Sequence, residues 1–145
     1  MSGRVDIKTK ILMMIRNPHL ASFSTIAEDG KPWVRYVMPN TSEDLTIRFA
    51  TFVGSRKAKH IAANPEVHLC CGVTDPMKAV HYLQIQGRAQ VLSDKETKLA
   101  FWSDQMKVYF TGPEDPNYAV VVVKPYRIEL WNMRSTSPEI WEAPQ

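Results

Sequence analysis

The sequence predicts a mainly β (α+β) fold: an antiparallel β-barrel of six or seven strands with short helices at its periphery. Three observations carry that expectation. Apolar and polar residues alternate through "HLASFSTIA", "PWVRYVMP", "LTIRFAT" and "EVHLCCGV", the period-two pattern of half-buried strands. Asp29-Gly30 stands between the first two of these runs, a strong hairpin signal. No strand–helix–strand alternation and no GxGxxG loop occurs, which argues against a doubly wound parallel sheet.

Each element follows in chain order. Residues 4–16 predict an amphipathic helix with Val5, Ile11, Leu12 and Ile15 on one face, ended by Pro18. The hairpin comes next, then a turn at Thr41-Ser42-Glu43-Asp44 and a third strand. A short helix from Ser55 to Ala63 is stopped by Asn64-Pro65. After "EVHLCCGV", a loop with Asp75-Pro76 leads into the long strand "AVHYLQIQGRAQVL", where Gly87 marks a bend or bulge. Ser93 and Glu96 have capping-box spacing and open a helix running to about Met106. The loop "TGPEDPN" precedes "YAVVVVKPYRIELWNM", one or two strands interrupted at Pro125. Residues 135–145 read as an irregular tail of a single domain spanning 1–145.

Composition narrows the function classes. A net charge of +3 is too small to mark a nucleic-acid protein by itself, and the basic residues gather at one spot instead of lining a groove. No apolar run reaches the length of a membrane span, and the N-terminus lacks the pattern of a secretory signal. Cys70 and Cys71 are the only cysteines. Adjacent strand residues face opposite ways, so a disulfide between them is geometrically poor. They read as buried strand thiols in a reducing, cytoplasmic setting. His19, His60, His68 and His81 have no metal-ligand spacing, and no GxSxG elbow exists. No metal is expected. Phe101, Trp102, Tyr109 and Phe110 read as aromatics packed on the barrel.

One stretch contradicts the usual charge arrangement of helices. In "ATFVGSRKAKHIAANP", Ser55 is a good N-cap, yet Arg56, Lys57 and Lys59 crowd the helix start. That end already carries a partial positive charge, so each cation there costs about 0.3–1 kcal/mol. A bound multiply charged anion reverses the sign of that cost. Solvated surface cations are the other reading. Arg35 is a second anomaly, a cation sharing a strand face with Trp33 and Val37 while Val34, Tyr36 and Met38 take the other. It meets either an anionic ligand or a protein carboxylate such as Glu43 or Asp44.

The segments "WVRYVMPN", "FATFVGSRKAKHIAANPEVHLCCG" and "LQIQGRAQVL" occur in this order between Ala21 and Trp131. Together they resemble the FMN-binding split-barrel family related to pyridoxamine 5'-phosphate oxidase, and within it the short general stress protein branch. The resemblance implies a split β-barrel and a homodimer with FMN at the interface. It implies that Arg35 opens the cofactor strand, with Tyr36, Val37 and Met38 running along the flavin ring. Thr51 matches a cofactor-contacting strand-end Thr, with Ala50 where the oxidase has an aromatic. Ser55, Arg56 and Lys57 match the phosphate-binding Ser-Arg-Lys. Tyr82 stands where a family Gln is found, Gln84 lying out of register, and Trp131 matches a late aromatic near the partner's flavin or else plugs the barrel. Asn40 replaces a second basic residue, and "RSTSPEIWEAPQ" shows no counterpart of the oxidase's substrate-holding Arg and His segment.

The expected function is therefore that of a flavin-dependent oxidoreductase working between a small-molecule electron donor and acceptor. A true pyridoxamine phosphate oxidase is not expected, and no catalytic residue is named. A flavin-binding module without turnover, used in stress sensing or as a carrier, is the alternative. Relatives with this barrel also use deazaflavin or haem. Partners such as nucleic acid or membrane are not expected.

Overall fold

The computed structural model describes residues 5–73, 75, 77 and 80–145. Its helices are α1 (Ile7–Ile15), α2 (Arg56–Ala63) and α3 (Lys95–Phe101), with a 3-10 turn at Asp104–Val108. The strands are β1 (Ala21–Ile26), β2 (Pro32–Val37), β3 (Asn40–Thr41), β4 (Ile47–Phe52), β5 (Glu66–Cys71), β6 (His81–Leu92), β7 (Tyr118–Asn132) and β8 (Glu139–Glu142). They form one antiparallel sheet in the order β2-β1-β5-β6-β7-β4-β3, with β8 added to β7. The sheet curls into a half-barrel, the split-barrel architecture. Six strands are long, and the two-residue β3 and the tail strand β8 complete it.

The hairpin forms where Asp29-Gly30 marks it. Ile26 pairs with Pro32, Ala27 N–H reaches Lys31 O at 2.9 Å, and Gly30 takes φ +83°, a conformation that glycine adopts without a Cβ penalty. Gly87 has a packing reason instead. A Cβ there would lie 2.8 Å from Val123 Cγ1 and 3.0 Å from Lys124 O. The β6–β7 register shifts at this point, Gln86 pairing with Arg127 and Gly87 with Pro125. Tyr126 is thus the extra residue of a bulge, which bends the long strand and accommodates Pro125 without breaking β7 in two.

Inward-facing side chains fill the half-barrel. Phe23 and Phe49 meet edge to face at 4.9 Å and pack with Ile11, Ile47, Leu69, Leu83, Ile85 and Ile128. A second cluster of Phe110, Tyr118, Val120 and Val122 lies beneath α3.

Several boundaries differ from expectation for local reasons. Asp6 caps α1 by accepting from Thr9 N–H, so the helix starts at Ile7; Val5 is exposed, and the expected start at residue 4 lies outside the described residues. Asp94, not Ser93, caps α3, because its carboxylate takes both the N–H and the hydroxyl of Thr97. The helix stops at Phe101, where Trp102 turns extended, and Ser103 caps the separate 3-10 turn. The tail is not wholly irregular: Glu139–Glu142 pairs with β7, and Lys10 of α1 binds Glu139 at 2.9 Å. Pro76 and the residues just before the long strand, Lys78 and Ala79, lie outside the described residues. Of the two cysteines only Cys71 is buried, its thiol pushed up to about 12 by desolvation and the neighbouring Cys70. Cys70 is exposed. Phe110 is buried as expected, but Tyr109 is exposed. Among the described residues no helix is long and apolar enough to cross a membrane, and no group of three metal-ligating side chains occurs.

Candidate functional site

Three cations converge at one mouth of the half-barrel. Alternation along β2 turns Trp33, Arg35 and Val37 inward, opposite Thr25, Phe23 and Ala21 of β1. β4 ends nearby with Thr51 facing inward and buried, and the chain turns through Gly54 into α2. Ser55 caps that helix in an extended conformation, its hydroxyl accepting from Ala58 N–H at 3.3 Å. Thr51 Oγ1 lies 2.9 Å from Ser55 Oγ, tying the strand end to the helix start. Lys59 N–H bonds Ser55 O. Among the described residues the N–H groups of Arg56 and Lys57 have no backbone acceptor, as expected of a first helical turn.

The cations are close enough to depress one another. Burial lowers the Arg35 pKa, and nearby Arg56 lowers it further. Lys57 is likewise lowered, first by burial and then by Arg35. The Arg56 guanidinium lies 4.7 Å from the Trp33 ring centroid, a cation–π contact that holds it over the inward face of β2. Ion pairs among the described residues engage Lys10, Arg16, Lys31, Arg88, Lys107 and Arg127, and none engages Arg35, Arg56 or Lys57.

Glu43 and Asp44, the expected alternative partners of Arg35, are used elsewhere. Glu43 pairs with Arg16 at 3.1 Å. Asp44 accepts from the Ser42 hydroxyl and Thr46 N–H, and these bonds hold its carboxyl far below the usual range. Arg35 is held instead by neutral acceptors, all through Nη1: Thr25 Oγ1 at 2.7 Å, Trp33 O at 3.1 Å and Phe23 O at 3.3 Å. A guanidinium has five N–H donors, two of them on Nη1. The three on Nε and Nη2 have no acceptor among the described residues. The site thus presents a planar donor edge, a mobile ammonium, a second guanidinium and two free backbone N–H groups. That set suits a phosphate dianion.

The other sequence-derived candidates are spread over both faces of the sheet. Val37 is buried in the core, while Tyr36, on the outward face of β2, and Met38, just past its end, are exposed. Ala50 points away from Thr51 and packs against the cluster beneath α3. Tyr82 and Trp131 pair across β6 and β7 and stack at 6.5 Å with an interplanar angle of 10°. Trp131 Nε1–H donates to Glu129 at 2.9 Å, and Glu129 is also gripped by Arg127 at 2.7 Å. This pair sits on the outward face of the sheet, where registry places Tyr36, Ser22, Cys70, Gln84 and Glu129 in one row. Sequence reasoning missed Thr25, Trp33 and His60 as supports of the mouth.

The family model for pyridoxamine 5'-phosphate oxidase matches residues 7–132. The chain belongs to that family. It is similar to general stress protein 26 of Bacillus subtilis, at 32% identity over 133 residues, covering 92% of this chain and 94% of that protein. It is also similar to a pyridoxine/pyridoxamine 5'-phosphate oxidase of Blochmanniella floridana, at 33% identity over 90 residues, covering 61% of this chain but 40% of the oxidase. Among solved structures, general stress protein 26 of Bacillus anthracis superposes with a TM-score of 0.81 at 27% identity, covering 96% of this chain and all of that one. A pyridoxamine 5'-phosphate oxidase-related, FMN binding protein of Nostoc punctiforme gives 0.67 at 16% identity, covering 92% and 83%. A heme binding protein of Mycobacterium smegmatis gives 0.75 at 13% identity, covering 97% and 60%. Those last two likenesses establish the fold alone. Proteins of this fold thus include one that is FMN binding and one that is heme binding, so the fold does not choose between them.

Proposed function

We propose that the chain binds FMN, with the phosphate seated on Ser55, Arg56, Lys57 and the free edge of Arg35, and serves as a flavin-dependent oxidoreductase. One observation carries the reading: three cations converge on a capped helix start, none of them in an ion pair among the described residues, while Glu43 and Asp44 are engaged elsewhere. Family membership supports it, since a pyridoxamine 5'-phosphate oxidase relative is FMN binding. A haem would need a different kind of site, an axial ligand and no phosphate grip, so the cation set favours a phosphorylated cofactor; deazaflavin, which also carries phosphate, is the variant to exclude by spectrum.

Bound FMN would supply the electron chemistry, and the protein would supply grip, orientation and shielding. Ser55 and Thr51 fix the helix tip against the strand end. Trp33 holds Arg56 over the mouth, and the Arg35 donor edge completes the grip from the neighbouring strand. In this reading the chain works as a homodimer. The sheet separates the inward-facing grip from the outward-facing Tyr82–Trp131 pair, so a second copy is needed to bring such a pair against the same cofactor. Val34, Tyr36 and Met38, each more than half exposed at 67%, 74% and 57%, would line the contact between copies. The substrate and electron donor are small molecules reaching the mouth.

The test is direct. The purified protein should be yellow, release FMN on denaturation and elute as a dimer. Rapid mixing of the holoprotein with NADH or NADPH should bleach the flavin. FMN without bleaching by either, and without turnover of any candidate acceptor, would leave a binding module; a colourless protein that takes up no FMN would end the proposal.

A further inference from the structure

We infer that Thr25 and His60 are positioning residues for Arg35, aiming its free donor edge into the mouth, and that His60 does this as a neutral imidazole with its proton on Nε2. The inference rests on the phosphate reading of Arg35 given above. It starts from donor and acceptor counts. Arg35 Nη1 can only donate, so at 2.7 Å Thr25 Oγ1 must accept from it. The Thr25 hydroxyl retains one proton of its own. Thr25 is wholly buried and His60 is 9% exposed, so no solvent competes for that proton. His60 Nδ1 lies 2.8 Å from Thr25 Oγ1, and no other side-chain bond of this hydroxyl occurs among the described residues. The hydroxyl therefore donates to Nδ1, which must carry a lone pair, and the ring proton sits on Nε2.

The opposite arrangement fails locally. An imidazole protonated on Nδ1 would aim a second donor at Thr25, and the hydroxyl proton would be buried with no acceptor. Thr25 would then turn from Arg35, leaving the guanidinium to the weaker pair of carbonyls at 3.1 and 3.3 Å. With Thr25 in place, Nη1 is saturated by protein and only Nε and Nη2 face outward. The relay thus runs from the inner face of α2, through β1, to β2. It also explains why His60 is buried in a helix whose neighbouring side chains are cationic: as a neutral acceptor it adds no charge to Arg35, Arg56 and Lys57.

The full-length chain tests this with two readouts. Titration calorimetry with FMN should show Thr25→Val weakening binding about tenfold, Thr25→Ser within about twofold of wild type, and Arg35→Ala at least as weak as Thr25→Val. In the Arg35→Ala background, Thr25→Val should cost nothing more, since both act through one group. Nitrogen NMR of histidine-labelled wild-type protein should show His60 Nδ1 unprotonated and Nε2 protonated. If Arg35→Ala weakens FMN but Thr25→Val does not, the relay is overturned while the phosphate grip stands. If Arg35→Ala leaves affinity unchanged, both fall. Should Thr25→Val fail to fold, the wild-type NMR decides: a proton on Nδ1 overturns the relay.

Discussion

Lys98 and Lys57 are both drawn out of solvent, and the protein treats them differently. Lys98, 7% exposed, donates to Asp115 O at 2.8 Å and lies 5.3 Å from the Tyr118 ring centroid. The Tyr118 hydroxyl returns a bond to Lys98 O at 2.9 Å, and the Asp115 carboxylate is close enough to feel the ammonium. A carbonyl acceptor and an aromatic face are thus supplied to this cation by the chain. Lys57 is half-buried, faces Arg35, and has no such set. The chain supplies partners to one cation and leaves the other open, and in the proposed reading a ligand's phosphate supplies the missing charge.

The difference can be broken from either end. The largest expected effect is in the open site: Arg56→Ala with Lys57→Ala should weaken FMN binding at least ~100-fold, because two charge-assisted bonds at about 1.5–3 kcal/mol each are removed. The melting temperature of the ligand-free chain should hold or rise, since mutually repelling cations are gone. Lys98→Met should do the reverse. It keeps the apolar stem but removes the charge-assisted bond to Asp115 O, which then keeps only its bond from Tyr118 N–H, lowering stability by about 1–3 kcal/mol in denaturant titrations, with FMN affinity unchanged.

Titration sharpens the contrast further. The Lys57 pKa is lowered below 10.5 in the folded chain by burial and Arg35, so between the folded and unfolded values the unfolded chain binds more protons. Stability without ligand therefore rises with pH across that alkaline window. A phosphate needs the charged form, so FMN affinity should fall over the same window, and Lys57→Arg should remove that fall. The closed site shows the acid-side counterpart and the smallest effect. Thr111 and Asn117 N–H groups hold the Asp115 carboxyl below its ordinary 3.8. The stability it contributes is present above that value and lost as pH drops through the folded one. Asp115→Asn should flatten this acid limb in pH-dependent unfolding curves.

How much of this was legible in the sequence depends on where the information lies. Ser55, Arg56 and Lys57 stood out because the conflict with the helix dipole is local, contained in three neighbouring residues. The hairpin at Gly30 and the bulge at Gly87 were legible for the same reason. Thr25, Trp33 and His60 were not, because their roles exist only once the β1–β2 register is set and α2 docks on β1. Alternation alone did separate Arg35 from Tyr36 and Met38, and the structure keeps Arg35 and Tyr36 on opposite faces. Ala50 likewise points away from Thr51, as neighbours in a strand must. β8 escaped notice because "SPEIWE" is short and its pairing partner lies along β7. Asp94 displaced Ser93 as a cap since the carboxylate satisfies two donors of Thr97 where a hydroxyl would satisfy one.

The central claim concerns a phosphate, so the decisive measurement is calorimetric binding of FMN beside riboflavin, which shares the ring and lacks the phosphate. FMN should bind at least ~100-fold more tightly, and the gap should close in the Arg56→Ala, Lys57→Ala protein. Equal affinities for the two compounds in the wild-type chain would contradict the assignment.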